Sequence, residues 1–73
     1  MPLTMASVGR KLKIVDIRGG RKAIDRLLAM GISPGIEIKL LKNDGGPLLV
    51  KLGESRIALG FGLADKIIVE EEE

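Results

Sequence analysis

Ten glycines in 73 residues set the scale of everything this chain can build. They separate the apolar stretches from one another. The pieces left between them are long enough for a short strand or for fewer than three helical turns. A chain of this length buries only about 60% of the surface it exposes when unfolded. The pieces must therefore share one small core and form a single domain, residues 1–73.

Residues 11–17 carry β-branched side chains and partial alternation, with Leu12 and Ile14 on one face and Lys11 and Lys13 on the other. The phase breaks at Ile14-Val15, which predicts a bulge or a strand buried on both faces. Residues 21–30 predict a helix whose apolar stripe is Ile24, Leu27 and Leu28. Gly31 suits the left-handed position that stops it, and Pro34-Gly35 fits the centre of a type II turn. Alternation resumes in 36–42, with Ile36, Ile38 and Leu40 inward. Asn43-Asp44-Gly45-Gly46 is a hairpin signal, and 47–52 returns with Leu48, Val50 and Leu52 on one face. Gly53-Glu54 turns the chain into 55–59, where Ile57 and Leu59 face inward. Gly60-Phe61-Gly62 breaks that strand, with the glycines relieving crowding at a corner and Phe61 filling the core. A single helical turn over 63–66 and a last strand over 67–69 complete the pattern. Five short strands with tight turns, and one helix after the first, predict a mainly β fold. A small, strongly bent barrel with the helix plugging one opening leaves the fewest exposed edges.

The same composition excludes most chemistry. There is no Cys and no His, so thiolate or imidazole metal ligands and the commonest general base are missing. Ser7, Ser33 and Ser55 have no His to activate them, and no cofactor and no enzymatic activity are expected. One Phe and no Trp or Tyr leave no platform for stacking bases. The carboxylates of the body are scattered, so no metal site is expected within the monomer. No G-x-x-x-x-G-K-[ST] motif is present, and Gly60-Phe61-Gly62 is a bare G-x-G. Apolar runs are too short to span a bilayer, and the N-terminal residues lack the pattern of a signal peptide; a cytoplasmic location is expected.

Charge is the feature with functional content. The formal net charge of +2 hides an asymmetry, since four of the ten acids are the run Glu70 to Glu73. A basic body, residues 1–69, with a short acidic tail is the expected organisation, the domain core spanning about 9–70 and the tail fraying at 71–73. Arg18, Arg21, Lys22 and Arg26 gather at the start and on the exposed face of the helix. They are either a solvated surface supported by Arg21–Asp25 and Lys22–Asp25 pairs or a patch that docks an acidic partner. The turn from Ile32 to Pro34 is an apolar candidate contact beside them. Leu41 or Leu49 on outer strand faces would serve a weak homo-oligomer.

The run Leu27-Leu28-Ala29-Met30-Gly31-Ile32-Ser33-Pro34-Gly35 resembles the L-x-x-(L/M)-G-I-x-P-G signature of the FeoA family, small components of bacterial and archaeal ferrous iron transport. Gly9, Gly19-Gly20, Ile38, Gly46-Pro47, Ile57-Ala58-Leu59, and Ala64 with Ile67 and Val69 follow in the family's order. Gly60 departs from it, where Arg often stands. The resemblance implies an SH3-like barrel without catalytic chemistry of its own. It also implies a tie to ferrous iron as a transition metal, and a regulatory protein–protein interaction with FeoB, a membrane GTPase, the membrane being met only through that partner. The domain is also similar to the C-terminal domain of metal-dependent repressors of the diphtheria-toxin-repressor class. Two alternatives stay open: a small nucleic-acid-binding β-barrel, and a stand-alone regulatory domain of a metal-dependent repressor system.

Overall fold

A computed structural model describes residues 1–72. Five strands form one antiparallel sheet: β1 (Lys11–Ile17), β2 (Glu37–Lys42), β3 (Leu48–Leu52), β4 (Ser55–Leu59) and β5 (Ile67–Glu71), in the spatial order β4-β3-β2-β1-β5. Helix α1 (Arg21–Ala29) follows β1, and the one-turn helix α2 (Phe61–Ala64) links β4 to β5. The fold is the expected mainly β architecture. The inward residues of the strands alternate as predicted, and Leu12, Ile14, Ile38, Leu40, Leu48, Val50, Leu59, Ile67 and Val69 fill one core with Leu27 of α1. The phase break in β1 is a bulge, because its register against β5 shifts between Ile14 and Asp16. A second irregularity falls between Leu40 and Lys42 of β2, where the strand turns against β3.

The C-terminus of α1 shows how the glycine signature works. Gly31 has φ +87°, its N–H bonds the Leu28 carbonyl at 3.0 Å, and the Ile32 N–H bonds the Leu27 carbonyl at 2.9 Å. That pair of bonds is a Schellman motif, and its apolar partners Leu27 and Ile32 are both fully buried. The next turn is closed by the Ile36 N–H on the Ser33 carbonyl, 3.2 Å, with Gly35 at φ +93°. The Gly35 N–H, 2.7 Å from the Ile14 carbonyl, ties this turn to β1.

Four expectations are corrected. Leu28 is 47% exposed, and the inward side of α1 is Ala23, Ile24 and Leu27, continued by Met30 at its C-cap; a helix this short and peripheral buries only a narrow stripe. Phe61 is 49% exposed, because α2 turns Ala64 and Leu63 toward the core instead. Gly60 and Gly62 relieve no crowding, since a Cβ on either would meet nothing within 4 Å. The acidic residues do not fray at once: β5 runs through Glu71, and the Glu72 N–H bonds the Lys11 carbonyl at 2.9 Å. Glu73 lies outside the described residues.

With no steric need for glycine and no left-handed φ at position 62, Gly62→Ala is expected to stabilise the fold by about 0.5–1 kcal/mol. A thermal melt reads that as a rise of several degrees.

The N-terminal segment does more than its sequence suggests. Leu3, in a 3-10 turn over Leu3–Met5, is fully buried, and Ala6 is 9% exposed. The Val69 N–H bonds the Met1 carbonyl at 2.8 Å, and Pro2 bridges Ile68. Thr4 Oγ1 lies 2.8 Å from Asp65 Oδ1, Asn43 Nδ2 donates to the Thr4 carbonyl at 2.9 Å, and the Gly9 N–H bonds the Leu40 carbonyl at 2.8 Å. Residues 1–9 thus cover the outer edge of β5 and close one end of the core. The other edge of the sheet is β4.

Candidate functional site

The four bases singled out from the sequence sit where β1 leads into α1. Arg18 follows β1, held by its N–H on the Lys66 carbonyl at 2.7 Å. Its guanidinium is 3.8 Å from Asp16, and that of Arg21 is 3.9 Å from Asp25. Both pairs are well exposed, and pairs of this kind contribute little to stability. Asp25 pairs with Arg21 and not with Lys22. Among the described residues, Lys22 and Arg26 have no carboxylate in ion-pair contact. One turn apart on the exposed side of α1, they form the unneutralised part of the patch.

The N-terminus of α1 is set against its own dipole. Gly20 is the N-cap with no side-chain cap, and the first turn has no acid. Arg21 and Lys22 stand there instead, where positive charge is unfavourable by about 0.3–1 kcal/mol. A helix shaped for stability alone would carry acids at these positions.

The apolar part of the candidate contact divides. Pro34 is exposed at the tip of its turn. Ile32 has no exposure and packs in the core, so its side chain offers nothing to a partner; the Schellman geometry turns it inward. In its place the structure brings out Leu28, 47% exposed on α1, and Val15, 39% exposed at the β1 bulge. A departure from the core stripe in the helix would have found Leu28 only with the helix axis already placed.

A second group of bases was not singled out. Lys11 of β1, Lys39 of β2, Lys51 of β3 and Arg56 of β4 are successive cross-strand partners. An open cleft of about 260 Å³ lies over this part of the sheet, lined by Lys11, Glu37, Ile38, Lys39, Lys51 and Gly53. Only the strand register brings these residues together, and no local motif announces them.

No cluster of three or more metal-ligating side chains occurs among the described residues. No helix among them is long and apolar enough to cross a membrane.

A sequence profile of the FeoA domain matches residues 1–71. A protein of Methanocaldococcus jannaschii named Fe(2+) transport protein A is 40% identical over 72 residues, covering 99% of this chain and 88% of that protein. The fold is similar to a crystal structure of an iron uptake regulatory protein, FeoA, with a TM-score of 0.92 and 36% identity over 99% of this chain and 97% of the other. A manganese-dependent transcriptional repressor shares the fold, with a TM-score of 0.90 at 19% identity, over 99% of this chain and 41% of the repressor.

Proposed function

The chain belongs to the FeoA domain family, and on that footing we propose that it is the small accessory component of a ferrous iron transport system, binding the cytosolic part of a FeoB-like membrane GTPase. The observation that carries this is the match of the whole folded body, residues 1–71, to that family. The chain acts by contact: its binding energy favours one conformation of the transporter over another, and iron is the transporter's cargo. The contact is the exposed side of α1, through Lys22 and Arg26 with Arg18 and Arg21 around them, and the neighbouring Pro34 and Leu28. Arg21 and Lys22, kept at the wrong end of the helix dipole, support a role outside the fold, whereas Arg26 lies in the last turn, where the dipole favours it. Unpaired charge on an exposed face also speeds encounter with an acidic surface.

Calorimetric titration against the purified cytosolic part of the GTPase from the same organism tests both levels. Saturable micromolar binding is expected, weakened at least about tenfold by Lys22→Glu with Arg26→Glu, a change of ~1.4 kcal/mol. Lys22→Glu alone places an acid in the first turn and is expected to raise the melting temperature by a few degrees. Absence of binding by the unaltered chain removes the transporter as partner. Binding that survives the charge reversal removes α1 as the contact.

A further inference from the structure

We propose that the outer face of the sheet is a second docking surface, separate from α1, and that its occupant is an acidic amphipathic helix of a partner protein. The starting observation is a cost. Lys11 stands opposite Lys39, Lys39 opposite Lys51, and Lys51 opposite Arg56. Directly opposed residues share a face, and like charges so placed repel. Among the described residues none of these four makes an ion pair. The repulsion contributes nothing to the fold, so the row is kept for something that neutralises it.

What flanks the row selects the occupant. On one side, Lys13 is opposed by both Glu37 and Glu70, so the adjacent row is already compensated. On the other side, Leu49 is paired with Ala58 of β4 and with Lys42 of β2, which is itself neutralised by Asp44 at 3.5 Å, and Leu49 and Ala58 point outward beside Lys51 and Arg56. The surface is therefore a narrow basic line with a short apolar strip, Leu49 and Ala58, beside its β3–β4 part and acids along the other flank. A flat anionic bilayer would meet Glu37 and Glu70 together with the lysines, and so would the broader charge of a nucleic-acid backbone. A helix carrying an acidic stripe next to an apolar one matches both the line and its flank. The pitch agrees as well. Strands lie about 4.8 Å apart, and outward splay on the convex face widens the spacing of the side-chain tips. Acids one turn apart on a helix repeat about every 5.4 Å, whereas same-face residues of a strand repeat about every 6.7 Å. The row ends at Arg56 on β4, the sheet edge not covered by the N-terminal segment, which leaves the approach open.

The test uses the full chain, isotopically labelled, and two synthetic peptides of about five helical turns. One has Leu along one stripe and Glu along the next; the other has Lys in place of Glu. The acidic peptide is expected to shift the amide resonances of Lys39, Leu49, Lys51 and Arg56. Its affinity should fall at least roughly tenfold as ionic strength rises from about 0.01 M to about 0.15 M. Lys51→Glu, and separately the triple variant Lys39→Gln, Lys51→Gln, Arg56→Gln, are expected to weaken it by a similar factor without lowering the melting temperature. A merely structural role would lower it. The proposal is overturned if the acidic peptide causes no shifts at millimolar concentration, if shifts map to α1, or if the basic peptide binds equally well. Stronger binding to a single-stranded oligonucleotide or to phosphatidylglycerol vesicles, lost with the same variants, also overturns it, as does a concentration-dependent shift of these amides in the chain alone. None of these outcomes depends on the transporter, so the reading of α1 stands or falls separately.

Discussion

Leu3→Ala is expected to destabilise the protein by about 2–5 kcal/mol, the cost of emptying a fully buried leucine site. A 73-residue domain has roughly 4–11 kcal/mol in all, so this one truncation removes a large share. The reason lies in what Leu3 anchors. Its side chain sits in the core, while the backbone on either side of it bonds to β5, and to the Asn43 side chain of the β2–β3 hairpin. Losing the anchor frees residues 1–9 and exposes both the end of the core and the outer edge of β5. Urea unfolding should show the midpoint falling steeply, with the melting temperature down by at least about 10 °C. Met5→Ala is the matched control two residues away, 73% exposed and expected to change stability by less than about 0.5 kcal/mol. If Leu3→Ala costs no more than Met5→Ala, the N-terminal segment is not part of the folded body.

That segment also marks where sequence reasoning stops. The strands were legible because inward and outward residues alternate, and glycine and proline fall where turns need them. Period alone puts Leu12 with Ile14, Ile38 with Leu40 and Leu48 with Val50 on one face each, the face the fold buries, and Gly31 and Gly35, expected at positive φ, have it. In residues 1–9 the apolar side chains Met1, Leu3 and Met5 fall at every other position, yet Leu3 alone of the three is buried, so period gives no sign of which one anchors the segment. Phe61 failed for a related reason. In a one-turn helix the inward residue depends on how the helix docks, and bulk is a poor guide when Ala64 fits the space better. The same holds for the functional surfaces. Arg18, Arg21, Lys22 and Arg26 are close in the chain and could be gathered by eye. Lys11, Lys39, Lys51 and Arg56 are scattered over four strands, and only the hydrogen-bonded register makes them neighbours.

Ile32 separates structure from contact within the family signature. Pro34 is exposed with Ser33 half-buried beside it, and from sequence the turn from Ile32 to Pro34 reads either as core and turn geometry or as an apolar contact for a partner. The structure gives Ile32 no exposure and a defined packing partner, Leu27, across the helix-ending bonds. Ile32→Ala is therefore expected to cost about 2–5 kcal/mol in denaturant unfolding. Affinity for the proposed GTPase partner should be unchanged at temperatures where the variant stays folded. Pro34→Ala should behave in the opposite sense. It removes only the pre-set φ of an exposed turn residue, about 0.4–1 kcal/mol, and if the turn touches the partner it weakens binding. The contrast isolates the two roles because the residues are two positions apart and their local backbone is shared. Should Ile32→Ala leave stability within about 1 kcal/mol of the unaltered chain yet abolish binding, the residue faces outward in solution. The Schellman packing would then not be what ends α1.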